Sequence, residues 1–353
     1  MKSPQRTRAV AVATDGSVAE AAMAVLRRGN AVDAVVAGVF AASAVVASVL
    51  LGPVQILVGG EGVGLHAIDG RVQQPGRGLA RPRGFLSDAT VPLPARVGVP
   101  ALPAALATAL ASFGKTPLAR VLGPAIDLAR AASKPRMDVL QRIAEAGPRA
   151  LTRARIAGEL VLAAGRGAGG LLSERDLEDL RPRVVSGRAT RAGERRLVTV
   201  PWGAEAVRTV GAEGLLGQDT HVVVAMDARG QIAVACYEAA SDGLRIEALD
   251  LVAPAFAAPV RRGQTRVRPG EPCIAAAPIA LNEWSGALDM GAGVGRQLDA
   301  EKTLGDWLRA YEERRADLAP AAPPTGLLSV ARVGRESKVL GGGESAPFGA
   351  VRS

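Results

Sequence analysis

Between Ala34 and Leu51 the chain runs for eighteen residues without a charge, and that stretch constrains the fold more than any other. Its length would reach across the apolar core of a bilayer. Its composition argues otherwise, because it is rich in Ala and Ser, contains Gly38 and is preceded directly by Asp33. The expectation is a helix buried inside a protein that does not enter the membrane. A helix that is apolar all round must be covered on every side, which needs a large body of other elements. With 353 residues and 48% hydrophobic content, the chain can supply one. Aromatic residues make up 3%, so the interior is expected to be built from small aliphatic side chains with helices packed close against sheet.

Other elements can be read around that helix. From Ser17 to Arg28, apolar residues recur at Ala21, Val25 and Leu26 with helical spacing, and Gly29-Asn30 reads as the C-terminal cap. Gln55 to Val58 reads as a strand. The glycine-rich run Gly59-Gly60-Glu61-Gly62-Val63-Gly64 then bends into a second strand through His66. No Lys-Ser or Lys-Thr pair follows those glycines, so they are read as close backbone packing rather than as a phosphate cradle. Val97-Gly98-Val99-Pro100 opens a helix from Ala104 to Phe113, and Thr116-Pro117 begins another through Ala129. Ser173 with Asp176 three positions on has the pattern of a capping box. Strand-like runs dominate from Leu197 to Ala235. The turn Asp227-Ala228-Arg229-Gly230, flanked by aliphatic arms, predicts two adjacent antiparallel strands in an interior sheet. From about Arg315 the composition shifts to Pro, Ala and Gly. This divides the chain into a single domain, 1–315, and a partly mobile tail, 316–353, in which Leu327 to Val333 is expected to add one strand.

Charge and reactive residues narrow the function classes. A net charge of +9 would suit nucleic acid, but the arginines are scattered among acidic residues. In the densest basic stretch, Arg142, Arg149, Arg153 and Arg155 have no interleaved aromatics to stack bases. No nucleic-acid partner is expected. Cys236 and Cys273 show neither a disulfide framework nor metal spacing. With His66 and His221 as the two histidines, neither a His-based zinc site nor a Ser-His-Asp triad is expected. The first residues hold no apolar run of secretory length, and the expected location is the cytoplasm.

Several blocks, in order, resemble the γ-glutamyltransferase family. Leu26-Arg27-Arg28-Gly29-Asn30-Ala31-Val32-Asp33-Ala34 resembles its LRRGGNAVDA signature, short by one glycine. Val97-Gly98-Val99-Pro100, Phe113-Gly114-Lys115-Thr116-Pro117 and Pro124-Ala125-Ile126-Asp127-Leu128-Ala129 resemble its VGVPG, FG-x-x-P and PAI-x-LA blocks. Gly169-Gly170-Leu171-Leu172 with Asp176-Leu177 and Arg181-Pro182 resembles GG-x-LT-x-x-DL-x-x-Y-x-P. The resemblance implies an α/β (α+β) fold, the four-layer αββα sandwich of N-terminal-nucleophile hydrolases. It also implies a chain that cuts itself before a Thr, whose freed amine then serves as base and whose hydroxyl as nucleophile. The implied substrate is a small γ-glutamyl or related amide, with no metal or organic cofactor.

Carried over residue by residue, the resemblance is uneven. The nucleophile strand should enter the hairpin, at Asp219-Thr220-His221. Matching the family's histidine to His221 puts Asp219 in the nucleophile's place, whereas counting back from Gly230 without a gap puts Thr220 there. A carboxylate cannot perform hydroxyl-driven cleavage, so Thr220 is the candidate nucleophile, set against its reading as an ordinary strand Thr; Ser241 and Thr199 are poorer choices. Arg77 falls where an R-E-x-A-P segment would place the arginine that grips the substrate's α-carboxylate, although Gly78 replaces the Glu. Gly291-Ala292-Gly293-Val294-Gly295 resembles the G-S-P-G-G oxyanion loop, which makes Gly295 a candidate backbone donor. The paired serines expected before Pro278 are Ile274 and Ala275 here, and Cys236, Tyr237 and Glu238 replace a Thr-rich strand behind the nucleophile. Asp242 or Asp250 matches the acidic residue for the α-amino group only by stretching the alignment. The stretch from Pro201-Trp202 to Asp219 is far shorter than the family's connection. Two readings stay open: an amide hydrolase or acyl transferase with impaired γ-glutamyl transfer and slow or absent self-cleavage, or a non-catalytic paralogue that binds a ligand or a protein, including an active relative. Homo-oligomerisation is likewise open.

Overall fold

The computed structural model describes residues 9–79, 85–192, 194–202, 220–240, 243–257, 267–295, 299–314, 326–333 and 336–341. Two six-stranded sheets form its centre. The first has the order β1-β7-β8-β2-β3-β4 and is built from β1 (Val10–Ala13), β2 (Val54–Gly60), β3 (Gly64–Gly70), β4 (Arg183–Ser186), β7 (Thr220–Met226) and β8 (Ile232–Glu238). The second runs β14-β13-β12-β11-β6-β5, from β5 (Arg188–Ala192), β6 (Arg195–Thr199), β11 (Ile279–Trp284), β12 (Ala287–Val294), β13 (Leu327–Val333) and β14 (Glu336–Gly341). Neighbours in both are antiparallel. A small ribbon pairs β9 (Leu244–Ile246) with β10 (Leu251–Ala253).

Alternation along the strands divides the core into three layers. On β7, Val223 and Ala225 face the helices, while Val222, Val224 and Met226 face the second sheet. On β11, Ile279 and Leu281 point into the space between the sheets and Ala280 away from it. Because side chains alternate with period two, each strand joins two cores and reads as a continuous aliphatic run. The outer face of the first sheet carries α1 (Gly16–Leu26) and α2 (Ala31–Val45), with α2 lying on β7 and β8. Around them pack α3 (Leu102–Phe113), α4 (Leu118–Val121), α5 (Gly123–Ala132), α6 (Lys134–Ala146), α7 (Ala154–Ala164) and α8 (Glu174–Glu178). The outer face of the second sheet carries α9 (Ala300–Arg314), seated on β12 through Leu304, Trp307 and Leu308. The layers are therefore helix, sheet, sheet, helix, the αββα sandwich expected from the sequence.

Small residues let these layers close up. A Cβ on Gly38 of α2 would lie 3.1 Å from Val223 Cγ1, so helix and sheet approach nearly to backbone distance. Between the sheets, a Cβ on Gly291 would meet Ile232 at 2.5 Å and one on Gly293 would meet Val222 at 2.7 Å. The Gly59–Gly64 run serves close packing, as expected: β2 and β3 form a tight hairpin there, and Gly59 has Leu288 and Leu65 against it.

The uncharged stretch is buried as expected along the helix to Ala44 and again from Ser48 to Leu51, but the helix ends at Val45, Val45 and Val46 are exposed, and the chain turns through residues 47–51. Among the described residues, no helix is long and apolar enough to cross a membrane. Where the sequence pattern predicts a C-terminal cap at Gly29-Asn30, Asn30 is the N-cap of α2, in a capping box with Asp33. The Ser173–Asp176 box forms as expected. The hairpin at Ala228 and Arg229 joins β7 to β8 in the interior of the first sheet. The strand expected from Leu327 to Val333 is an inner strand of the second sheet.

Candidate active site

The turn that closes the β7–β8 hairpin fixes what lies at its open end. Asp227 Oδ1 accepts from Arg229 N at 2.8 Å and from Gln231 N at 3.1 Å, and Gly230 takes the positive φ of 84° that the turn requires. From there the register runs without a slip to the pair Thr220↔Glu238. Thr220 shares the parity of Val222 and Val224, so it belongs to the face between the sheets, whereas His221 turns to the helix side. There His221 stacks on Tyr237 with centroids 5.4 Å apart and hydrogen-bonds Thr14 Oγ1 through Nδ1 at 3.0 Å.

Thr220 is 1% exposed, and its hydroxyl donates to Glu238 Oε1 at 2.6 Å; Glu238 is 4% exposed. Cys236, two residues before Glu238, is fully enclosed. Burial, and secondarily the charge of Glu238, push its thiol well above the ordinary range, which leaves it inert. Asp219, the alternative in the nucleophile register, lies outside the described residues, as do Ser241 and Asp242.

Gly295 follows the end of β12 and comes against Thr220: a Cβ there would meet the Thr220 carbonyl oxygen at 2.5 Å. The structure brings these two candidates together. The Gly295 N–H donates to Gly326 O at 2.9 Å and that of Val294 to Pro278 O at 3.1 Å, so neither is a free oxyanion donor in this arrangement.

Arg77 is held by its backbone. The Asp176 carboxylate accepts from Gly76 N, Arg77 N, Ser173 N and Ser173 Oγ at 2.7–3.0 Å, tying the Arg77 loop to the start of α8. The guanidinium lies against Gly270 and makes one long bond, 3.4 Å, to Gln73 Oε1. Asp250 is committed to Arg136 and Arg245, and Thr199 is an ordinary strand residue of β6 paired with Arg188 and Ala280.

A second arginine, missed in the sequence, lies nearer the strand ends. Arg71 directly follows β3, whose last residue, Gly70, pairs with Val54, which in turn pairs with Tyr237 beside Glu238. Arg71 is 2% exposed. Its Nε and Nη2 grip Asp69 at 2.9 Å, Nη1 donates to Ile274 O at 3.1 Å, and the group sits 5.0 Å from the Trp202 ring centroid. Gln55 completes the cluster: its Oε1 accepts from Trp202 Nε1 and Ala277 N, and its Nε2 donates to Ala275 O. Burial pushes the Asp69 carboxyl up, but the hydrogen bonds and charge of Arg71, with help from Arg183, outweigh it and hold the carboxyl below its ordinary value. Arg71 therefore stands beside Ile274, one of the two residues that replace the expected serines. The signal was available. Arg71 and Pro75 keep the arginine-to-proline spacing of R-E-x-A-P, which Arg77 does not, having Arg81 in the proline's place.

The block that most resembles the family signature holds no reacting group. Asp33 accepts from Asn30 N, Lys115 N, Thr116 N and Thr116 Oγ1 at 2.9–3.2 Å, clamping the start of α2 to the loop after α3. Among the described residues no cluster of three or more His, Cys, Asp or Glu is arranged to hold a metal.

Comparison with known proteins agrees with this architecture. Residues 18–132 match the family model described as Gamma-glutamyltranspeptidase. Over 100% of this chain and 99% of the other, the fold is similar to that of LmbA2991HD, with 14% identity and a TM-score of 0.74; a second LmbA2991 structure gives 0.75. Cephalosporin acylase from Bacillus halodurans is similar over 92% of this chain and 85% of its own, at 15% identity and a TM-score of 0.69. No curated protein sequence matches the chain. The match to the γ-glutamyltranspeptidase family model on the helices around Asp33, together with the αββα fold shared over the full length, supports the resemblance to a divergent member of that family.

Proposed function

We propose that this protein is an amide hydrolase or acyl transferase whose nucleophile is Thr220, released as a chain terminus by scission of the Asp219–Thr220 bond. The observation that carries this reading is the position of Thr220 on an interior strand, its hydroxyl on the face between the sheets and its carbonyl against Gly295. A freed Thr amine next to its own hydroxyl can serve as base. The substrate is a small amide, and transfer of γ-glutamyl groups themselves is poor. Ile274 and Ala275 offer no hydroxyls, and the Arg71 guanidinium is already taken up by Asp69 and Ile274 O. Each loss removes an interaction that would strengthen in the transition state. Arg77 is the remaining arginine offered for a substrate carboxylate.

A second reading, a non-catalytic paralogue that binds a ligand or an active relative, is favoured by one observation: Thr220 and Arg71 are both buried, the latter beneath Trp202. Denaturing gel electrophoresis with N-terminal sequencing separates the two. The first reading expects fragments of 219 and 134 residues, no fragments from Thr220→Ala, and hydrolysis of N-acyl p-nitroanilides faster than that of γ-glutamyl-p-nitroanilide. An intact chain with no amidase activity selects the second.

A further inference from the structure

Within a peptide bond, Thr220 has no amine to act as base, so the first step of self-cleavage needs another proton acceptor. We propose that Glu238 is that acceptor, a catalytic base for scission; the proposal rests on the reading of Thr220 given above. At 2.6 Å the Thr220 Oγ1 to Glu238 Oε1 contact falls in the range of hydroxyl-to-carboxylate bonds. The two residues are direct cross-strand partners in an unbroken register, so backbone pairing sets their spacing. Both are buried, at 1% and 4% exposure, and the acyl shift that opens the reaction asks for no access, because attacking and attacked groups belong to neighbouring residues; water is needed only for the second step. Glu238 stands on the strand where the family resemblance leads one to expect threonines. A hydroxyl there can share a hydrogen bond but cannot store a proton as a carboxylate does.

The step balances as follows. Thr220 Oγ bonds to the carbonyl carbon of residue 219 while its proton passes to Glu238 Oε1. The bond from that carbon to Thr220 N then breaks, and Glu238 returns the proton to the departing nitrogen, leaving an ester and a free amine. Water attacks the ester carbon, the carbon–Oγ bond breaks, and the products are a carboxylate on residue 219 and the restored Thr220 hydroxyl. Glu238 ends as it began, and the net reaction is hydrolysis of one peptide bond.

The test is a time course of cell-free synthesis, resolved on denaturing gels, for wild type, Thr220→Ala, Glu238→Gln and Glu238→Asp. Glutamine still offers an oxygen to the Thr220 hydroxyl, so a structural role survives in Glu238→Gln while the base is lost. Wild type is expected to split at residue 220. Glu238→Gln should split at least about 100-fold more slowly, in line with the usual worth of a positioned base, with an unchanged melting temperature. Glu238→Asp should split at an intermediate rate, its carboxylate set back by one methylene. If Glu238→Gln does not fold, Glu238→Thr, which keeps a hydrogen-bonding group without a carboxylate, decides, and a wild-type rate in it overturns the proposal. Splitting of Glu238→Gln within threefold of wild type, with Thr220→Ala inert, removes Glu238 as base and leaves Thr220 standing. A wild-type chain that stays intact, or is cut elsewhere, overturns both.

Discussion

Asp33 and Glu238 are both buried carboxylates that tie one element to another, and they sit in regions of opposite character. Around Asp33, the donors are three backbone N–H groups and the Thr116 hydroxyl, and the residues are those of the family signature. Around Glu238, the partner is a candidate nucleophile, and the neighbouring positions depart from the family pattern at Cys236, Ile274 and Ala275. The residues by which the chain is recognised are thus the ones that hold α2 to the loop after α3, while the residues that would do chemistry vary without disturbing them. Likeness in the helical half speaks for the fold, and function has to be argued from the strand ends.

The contrast can be broken most decisively at Asp33. Asp33→Ala strands several buried donors at once, each worth about 1–3 kcal/mol when left unpaired. A loss on the order of 4 kcal/mol is expected in urea denaturation, and a loss below about 1 kcal/mol would show that the clamp is ornamental. Arg71→Met comes next. It leaves Asp69 buried with Arg183, itself 61% exposed, as remaining partner. Breaking a buried pair from one side typically costs about 3–5 kcal/mol, and the lower end is expected here because Arg183 stays.

A smaller effect is expected in acid. The folded-state pKa of Asp69 is depressed, so its pairing contributes stability that is present above the unfolded carboxylate value, near 4, and is lost as the pH falls through the folded value. Asp69→Asn should flatten the stability curve below about pH 4 relative to wild type; an identical acid limb would show that the pair does not titrate with folding. The smallest effect on stability belongs to Arg77→Ala, within about 0.5 kcal/mol, because Asp176 holds the backbone rather than the side chain. That substitution sharpens the comparison through kinetics. If Arg77 grips a substrate carboxylate, KM rises for carboxylate-bearing amides and not for neutral ones.

Much of the scaffold was legible because its signals are local. The β7–β8 turn announces itself through Asp227 and Gly230, and the Ser173 box through side chains three residues apart. The boundary between α1 and α2 was misread because Gly29-Asn30 fits an end as well as a start; what decides is Asp33, whose partners at Lys115 and Thr116 lie more than eighty residues away. The nucleophile register was illegible for a related reason. Both faces of β7 are buried in aliphatic cores, so alternation cannot say which residues look between the sheets. Arg71 was legible through its spacing to Pro75, but its neighbour Ile274, which lies 203 residues further on, was not.

The strand order carries a consequence for any cut before Thr220. In the first sheet β7 and β8 lie between β1 and β2, and in the second β6 extends the row begun by β11 and β12. The two pieces would remain woven together through the ladders β1–β7, β8–β2 and β11–β6. Scission would then change the covalent chain while leaving one inseparable body, like a knot whose cord is severed inside the tie. Gel filtration under native conditions would see a single species before and after, and the new terminus would be born already seated in the middle of a finished sheet.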